Sequence, residues 1–182
     1  MNKPIERELK LLLTKEEYEK IGKSYDFSEG FIQTNTYYDS IDSQLKERKC
    51  AMRIRTIDNH YYFTLKIKSD SITHIELEKE IDTNQLKQIK DLEILGWMKE
   101  YNIPKDCIEI ASFTTYRKVL ETDEATICLD ENRFKNHIDY EMEYEYKKEH
   151  DGITAFNSLL EPFHLSYKNN SPSKLARAIQ SL

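Results

Sequence analysis

The sequence predicts an α+β protein, mainly antiparallel β, in which about eight strands form a closed barrel or one large sheet curled on itself. Three observations carry that expectation. Apolar and polar side chains alternate with a period of two in eight separate stretches, the strand signature. Helical spacing is confined to short segments between and after them. Glycine and proline number only 4 each, which leaves no room for glycine-rich phosphate loops. At 182 residues the chain can bury a substantial core, and it reads as one domain spanning residues 1–182.

Taken in order, strands are expected at 5–13, 33–38, 51–57, 61–68, 74–81, 109–120, 126–130 and 138–147. Between the first two, Thr14 and Glu17 form a capping box that opens a helix. The segment 83–101 places Leu86, Ile89, Leu92, Leu95 and Met98 at helical spacing, ahead of Pro104. Shorter helices are expected at 153–160 and at 173–182, the latter just after Pro172. The segment from Tyr101 to Cys107 is the weakest point of the chain, where two halves of one domain could meet.

Composition narrows the function. With 33 acidic and 27 basic residues the net charge is −6, and the isoelectric point is near 5.5. An acidic chain is poorly suited to nonspecific nucleic-acid or anionic-membrane binding, so neither partner is expected. No apolar run approaches the roughly 18 residues of a spanning helix, and Met1-Asn2-Lys3-Pro4 leads straight into charge. Cys50, Cys107 and Cys128 are scattered and form no CxxC, which argues against a disulfide framework or a zinc ribbon. A cytoplasmic protein is expected.

The strand faces are more informative. Residues i, i+2 and i+4 share a face. Glu6, Glu8 and Lys10 lie together, as do Arg53 with Arg55, Lys66 with Lys68, and Glu76, Glu78 and Glu80. Asp139, Glu141, Glu143 and Glu145 make a further acidic face opposite Tyr140, Met142, Tyr144 and Tyr146. A solvated outer face would explain any one strand. It does not explain faces nearly pure in sign, since like charges at i and i+2 gain nothing from each other. If the sheet closes with helices outside, these faces line a wet tunnel, costly to desolvate unless filled. A phosphate chain held by Lys and Arg, with divalent metal held by carboxylates, is the complementary filling. Hard Mg²⁺ or Mn²⁺ prefers such oxygen ligands.

The same residues resemble a known family. Glu6-Arg7-Glu8-Leu9-Lys10 fits the ExExK motif that opens the CYTH domain of the triphosphate tunnel metalloenzymes. Alone that motif is weak, but further matches follow in order. Tyr37-Tyr38-Asp39 resembles the aromatic–aromatic–Asp stretch, Arg53-Ile54-Arg55 the RxR strand, and Thr64-Leu65-Lys66 the TLK strand. Glu76-Leu77-Glu78 resembles the middle ExE, and Arg117 stands where a strand arginine is expected. Asp130 and Glu143-Tyr144-Glu145 resemble the late acidic positions, and Ser173-Lys174 through Arg177 the C-terminal lysine helix.

The resemblance implies an eight-stranded closed barrel with helices packed outside, binding a triphosphate-containing small molecule. It implies hydrolysis of the terminal phosphate, of inorganic tripolyphosphate foremost, with Mg²⁺ or Mn²⁺. Carried over by residue, Glu6, Glu8, Asp130, Glu143 and Glu145 would hold metal. Lys10, Arg53, Arg55, Lys66, Arg117 and Lys174 would grip phosphate, with Glu76 and Glu78 ordering the cations or a second metal. Glu8, Lys66, Arg117 and Glu143 would carry the chemistry. Which of Glu141, Glu143 and Glu145 form the metal pair stays open, because all three share one face. Alternatives within the fold are class IV adenylate cyclase or thiamine triphosphatase chemistry, or a polyphosphate- or nucleotide-binding module without turnover.

Three positions depart from the family pattern. Thr115 stands where many triphosphatases carry a lysine that could deprotonate water, which favours the binding-module alternative. Leu175 replaces an aromatic, and His74 stands where an arginine often precedes the middle ExE. His60, His74, His137, His150 and His164 form no metal-ligand spacing and read as surface or core histidines. The cysteines, Trp97 and Met98 read as packing. The chain could be a monomer, or a homodimer if the tyrosines at 140, 144 and 146 are incompletely covered.

Overall fold

The computed structural model describes residues 4–182; Met1, Asn2 and Lys3 of the N-terminal stretch read above lie outside the described residues. Eight strands form: β1 (Ile5–Leu13), β2 (Phe31–Asp39), β3 (Cys50–Ile57), β4 (His60–Lys68), β5 (Thr73–Ile81), β6 (Ile108–Glu121), β7 (Ala125–Arg133) and β8 (Ile138–Tyr146). They close into one antiparallel barrel in the order β1-β5-β4-β3-β2-β6-β7-β8. Every expected strand is present. β2 starts two residues earlier because Phe31 pairs with Arg117, and β7 runs on past Asp130 because Glu131, Asn132 and Arg133 pair with Tyr140, Asp139 and Ile138.

Helices α1 (Lys15–Ser24), α2 (Gln44–Glu47), α3 (Leu92–Glu100), α4 (Gly152–Leu160) and α5 (Lys174–Gln180) complete the fold. Among the described residues no helix is long and apolar enough to cross a membrane. Thr14 caps α1 with the expected box: Glu17 N–H donates to its hydroxyl at 3.2 Å, and Thr14 N–H donates to the Glu17 carboxylate at 2.7 Å.

The expected helix over 83–101 is corrected. The chain makes a 3₁₀ turn at Leu86–Gln88, runs extended at Ile89, and starts α3 only at Leu92. Asp91 is the cause. Its carboxylate accepts the N–H groups of Glu93 (3.0 Å) and Ile94 (3.2 Å), so the side chain caps a new helix where a continuous one would need its backbone. Ile89 still reaches the core, from extended backbone. The short α2 was missed. Its start is held by Asp39, which accepts the N–H groups of Leu45 at 2.9 Å and Lys46 at 3.1 Å.

Two apolar layers lie outside the barrel. Tyr18 and Ile21 of α1 with Phe156 and Leu160 of α4 cover Leu9, Ile127, Leu129, Met142 and Tyr144. Tyr140 and Tyr146 pack against that layer, so the tyrosine row is under helices. Ile94 of α3 and Leu45 of α2 cover Met52, Ile54, Phe63 and Leu65, with Trp97 and Met98 packed alongside. A third cluster has the opposite sense. Leu175 and Ala178 of α5 meet Tyr37, Ala111 and Phe113, residues with the inward parity of Asn35 and Thr115. The C-terminal helix therefore stops one end of the barrel.

Asn170, in the segment leading to α5, locks the wall at β1. That strand pairs with β5 only through Ile5–Arg7 and with β8 from Glu8 onward. The Asn170 amide fills the break: its oxygen accepts Lys10 N–H at 2.8 Å, and its nitrogen donates to the carbonyls of Glu8 (3.0 Å) and Ser71 (3.2 Å). The backbone of the first acidic strand is fixed where its side chains turn inward.

Candidate active site

Strand parity sends the charged faces into the barrel, and closure brings them together. Glu6, Glu8, Lys10, Arg53, Arg55, Lys66, Glu76, Glu78, Arg117, Asp130, Glu143 and Glu145 all lie on the enclosed side, and Lys174 reaches in from α5. They form three groups.

In the first, the Lys66 ammonium sits among carboxylates. It touches Glu6, lies 3.1 Å from Glu76 and 3.5 Å from Glu8, while Lys10 donates to Glu8 at 2.9 Å. Burial pushes Glu6 up to about 8, with Glu8 and Glu76 adding to the rise against Lys66. Glu8 and Glu76 go the other way. Burial opposes their ionisation too, but Lys66 outweighs it, with Lys10 beside Glu8 and Arg53 beside Glu76, and both fall to about 2. Lys66, with Lys10 and Arg53, thus favours the ionised form of Glu8 and Glu76, while burial and its two neighbours favour the protonated form of Glu6.

The second group is its counterpart near the closed end. The Lys174 ammonium lies 2.7 Å from Glu143, 2.9 Å from Asp130 and in contact with Glu141. Arg117 grips Asp130 with two bonds, Nε to Oδ1 at 2.8 Å and Nη2 to Oδ2 at 2.6 Å, and reaches Glu143 at 2.6 Å. Burial opposes charge on Glu143, yet Lys174 and Arg117 hold it well below the ordinary carboxylate range. The open choice among three glutamates is thereby narrowed: Glu141 and Glu143 converge with Asp130, whereas Glu145 lies at the open mouth. That mouth is a cavity of about 270 Å³ lined by Pro4, Ile5, Glu6, Glu76, Glu78 and Glu145.

The third group is cationic and lies between the other two. Arg53 is 3.9 Å from Glu76 and 3.7 Å from Glu78 and also bonds Tyr37 and Thr64. Arg55 differs. Its hydrogen-bond partner is the Asn35 amide oxygen at 3.0 Å, and no carboxylate of the described residues forms an ion pair with it. Burial, then the charges of Arg53 and Arg117, bring it down to about 10. The Glu78 carboxylate offsets this only in part, so the guanidinium has no ion-pair partner of its own and is suited to meeting an anion.

Sequence reasoning missed three features. Thr115 is buried and donates to the Asn132 oxygen at 2.7 Å; Asn132 in turn donates to Asp139 at 3.0 Å, and Arg177 to Asp139 at 2.7 Å. This polar chain ties the Thr115 hydroxyl through Asn132 and Asp139 to Arg177 of α5. Cys128 faces inward opposite Glu143, where burial pushes its thiol up to about 12. His74 lies with Glu6 and Glu8, each offering a ligand atom within 4.8 Å of the others. Parity was the available signal, because residues 74, 76 and 78 share a face.

The donors suit a divalent metal. Asp130, Glu141 and Glu143 also converge within 4.8 Å, and both Glu141 oxygens, like one oxygen each of Glu6 and Glu76, are buried without a hydrogen bond. They are held by charge alone, as oxygen ligands for a hard cation would be. The two lysines stand where cations belong.

The fold and its paired carboxylate–cation groups define a triphosphate-tunnel architecture. The chain matches the CYTH domain over residues 4–179 and belongs to that family. It is 32% identical over 171 residues to the provisionally named triphosphatase YjbK of Bacillus subtilis (strain 168), covering 91% of this chain and 90% of that one. A Bacillus halodurans protein provisionally named an adenylate cyclase superposes with a TM-score of 0.84 at 25% identity, over 97% of this chain and 98% of the other. HpAC1 from Hippeastrum, for which a dominant triphosphatase activity is described, shares the fold at a TM-score of 0.74 and 18% identity, over 97% and 95% of the two chains.

Proposed function

We propose that this protein hydrolyses the terminal phosphate of a triphosphate, inorganic tripolyphosphate foremost, with Mg²⁺ or Mn²⁺ held by its inner carboxylates. One observation carries the reading: Arg55, unpaired with any described carboxylate, lies among Arg53 and Arg117, between two groups of carboxylates whose charges are balanced by lysines. An entering phosphate chain supplies the missing negative charge. Lys66 and Lys174 can then turn from carboxylate to phosphate, freeing Glu6 and Glu8 on one side and Asp130, Glu141 and Glu143 on the other.

Bound metal would neutralise phosphate charge and lower the pKa of an attacking water. The rest falls to the chain's own residues. Phosphoryl transfer asks mainly for positioning and charge stabilisation. Arg53, Arg55 and Arg117 have fixed planar donors for the phosphate oxygens, and Lys66 and Lys10 add mobile ones. Asn170 and the barrel wall hold Glu8 and Lys10 in place. Thr115, where the family's lysine would stand, spends its hydroxyl on the Asn132 oxygen and offers no general base.

Two features support inorganic tripolyphosphate over an organic triphosphate. α5 stops one end, so any organic group must sit at the open mouth. That mouth is lined by Pro4, Ile5 and four glutamates, which give a purine no ring to stack on and repel further negative charge. The membership of the CYTH family and the likeness to YjbK support the same chemistry.

The test is direct. The purified protein is given tripolyphosphate, ATP or thiamine triphosphate with Mg²⁺ or Mn²⁺, and the products are separated by chromatography. Pyrophosphate plus phosphate, formed fastest from tripolyphosphate and abolished by chelator, is the expected result. Cyclic AMP from ATP would make it a cyclase, and tight binding without turnover at any metal concentration would make it a binding module.

A further inference from the structure

His74 is the one nitrogen donor among the described residues grouped with inner carboxylates that could hold a metal. It sits on β5 directly across from Glu6, and its parity with Glu76 and Glu78 turns it into the barrel. One ring nitrogen and one oxygen each of Glu6 and Glu8 lie within 4.8 Å of one another. The Nδ1 atom of that ring is buried and makes no hydrogen bond. A buried polar nitrogen with no partner is costly and uncommon in folded proteins, and it calls for an explanation. The second group, Asp130, Glu141 and Glu143, is all oxygen. The two cation positions therefore differ in donor chemistry, although each has a lysine ammonium beside it.

We propose that His74 supplies a nitrogen ligand to the divalent cation held by Glu6 and Glu8, biasing that position toward a first-row transition ion such as Mn²⁺ and away from Mg²⁺. This rests on the metal-dependent reading above. Imidazole binds first-row transition ions more readily than it binds Mg²⁺, which prefers oxygen and retained water. An arginine at the same place could only repel the cation. The exchange of arginine for histidine thus converts a phosphate-side position into a metal-side one, and it makes the mouth-proximal cation the more selective of the two.

Mn²⁺ is both candidate and probe. Pulsed electron paramagnetic resonance of the full-length protein with Mn²⁺ and tripolyphosphate reads nitrogen coupled to the ion. Imidazole ¹⁴N modulation is expected, replaced by the ¹⁵N pattern when only histidine is ¹⁵N-labelled. His74→Asn should lose the coupling, bind Mn²⁺ about tenfold more weakly, and change its Mg²⁺ affinity by less than about twofold. The labelled native protein answers the question even if the variant folds poorly. Bound Mn²⁺ without histidine coupling, or with the same coupling in His74→Asn, overturns the role of His74 and leaves the metal-dependent reading standing. Failure of the native protein to bind Mn²⁺ with or without tripolyphosphate overturns both.

Discussion

The Nζ of Lys174 lies 2.7 Å from Oε1 of Glu143, on a strand 31 residues earlier, so the helix that stops the barrel also supplies a cation to its interior. The Lys174 side chain is largely enclosed there, and its charge is shared with Asp130 and Glu141. Removing it leaves three buried carboxylates facing Arg117 and Arg177, with Lys10 acting on Glu143. Lys174→Ala is expected to destabilise the empty protein by on the order of 3 kcal/mol, since breaking a buried ion pair strands its partner. Millimolar Mg²⁺ or Mn²⁺ should return much of that loss. Urea unfolding with and without metal checks both halves, and a variant as stable as the native chain without metal would contradict the assignment.

Arg55 should behave in the opposite way. Its guanidinium is desolvated among Arg53 and Arg117 with an amide oxygen for company. Arg55→Ala relieves like-charge repulsion, so the empty protein is expected to hold or gain stability. Tripolyphosphate binding and hydrolysis should fall by about a hundredfold or more, the cost of losing one preorganised donor. Calorimetric binding and thermal unfolding of the same preparation test the pair; parallel loss of both properties would make Arg55 a structural residue.

Glu6 and Glu8 are expected to give pH dependences of opposite sign. Glu8 falls from 4.5 to about 2 in the fold, so its stabilisation is complete above about 4.5 and is lost as pH drops toward 2. Glu6 rises from 4.5 to about 8, so the empty fold binds its proton more tightly than the unfolded chain does. That contribution is present below 4.5 and is lost as pH climbs toward 8, with a slope of at most about 1.4 kcal/mol per pH unit. Glu6→Gln should flatten the stability profile between pH 5 and 8, and Glu8→Gln should flatten it below pH 4.5. Urea midpoints across pH for the three proteins distinguish the two; identical profiles would refute the assignment.

Thr115 is expected to matter for folding and little for chemistry. Thr115→Val keeps the shape but removes the donor to the buried Asn132 oxygen, at a cost of about 1–3 kcal/mol. Phosphate release per folded molecule should stay within a few-fold of the native rate. A large fall in turnover with unchanged stability would place the hydroxyl in the reaction.

The eight strands were legible because alternation is local: each residue's face follows from its neighbours two positions away. The same parity put Glu6 with Glu8, Arg53 with Arg55, Glu76 with Glu78, and Glu143 with its acidic neighbours on single strand faces before any pairing was known. The 83–101 helix failed because its apolar spacing is real but Asp91 competes for backbone N–H groups, and a periodic pattern does not register a cap in its middle. α2 was too short to show a period. His74 shares its strand face with Glu76 and Glu78, but its approach to Glu6 and Glu8 comes only from the pairing of β5 with β1.

The sequence by itself determined which side chains turn inward and that these faces are segregated by sign. Only the tertiary structure decided which charges meet. β1 closes the barrel by pairing with both β5 and β8, strands far from it in the chain, and this sets Lys66 among Glu6, Glu8 and Glu76 and leaves Arg55 unpaired. Facing direction depends on backbone geometry over two residues, whereas charge pairing depends on ring closure over the whole chain, and only the closed ring fixes the distances at which charges act.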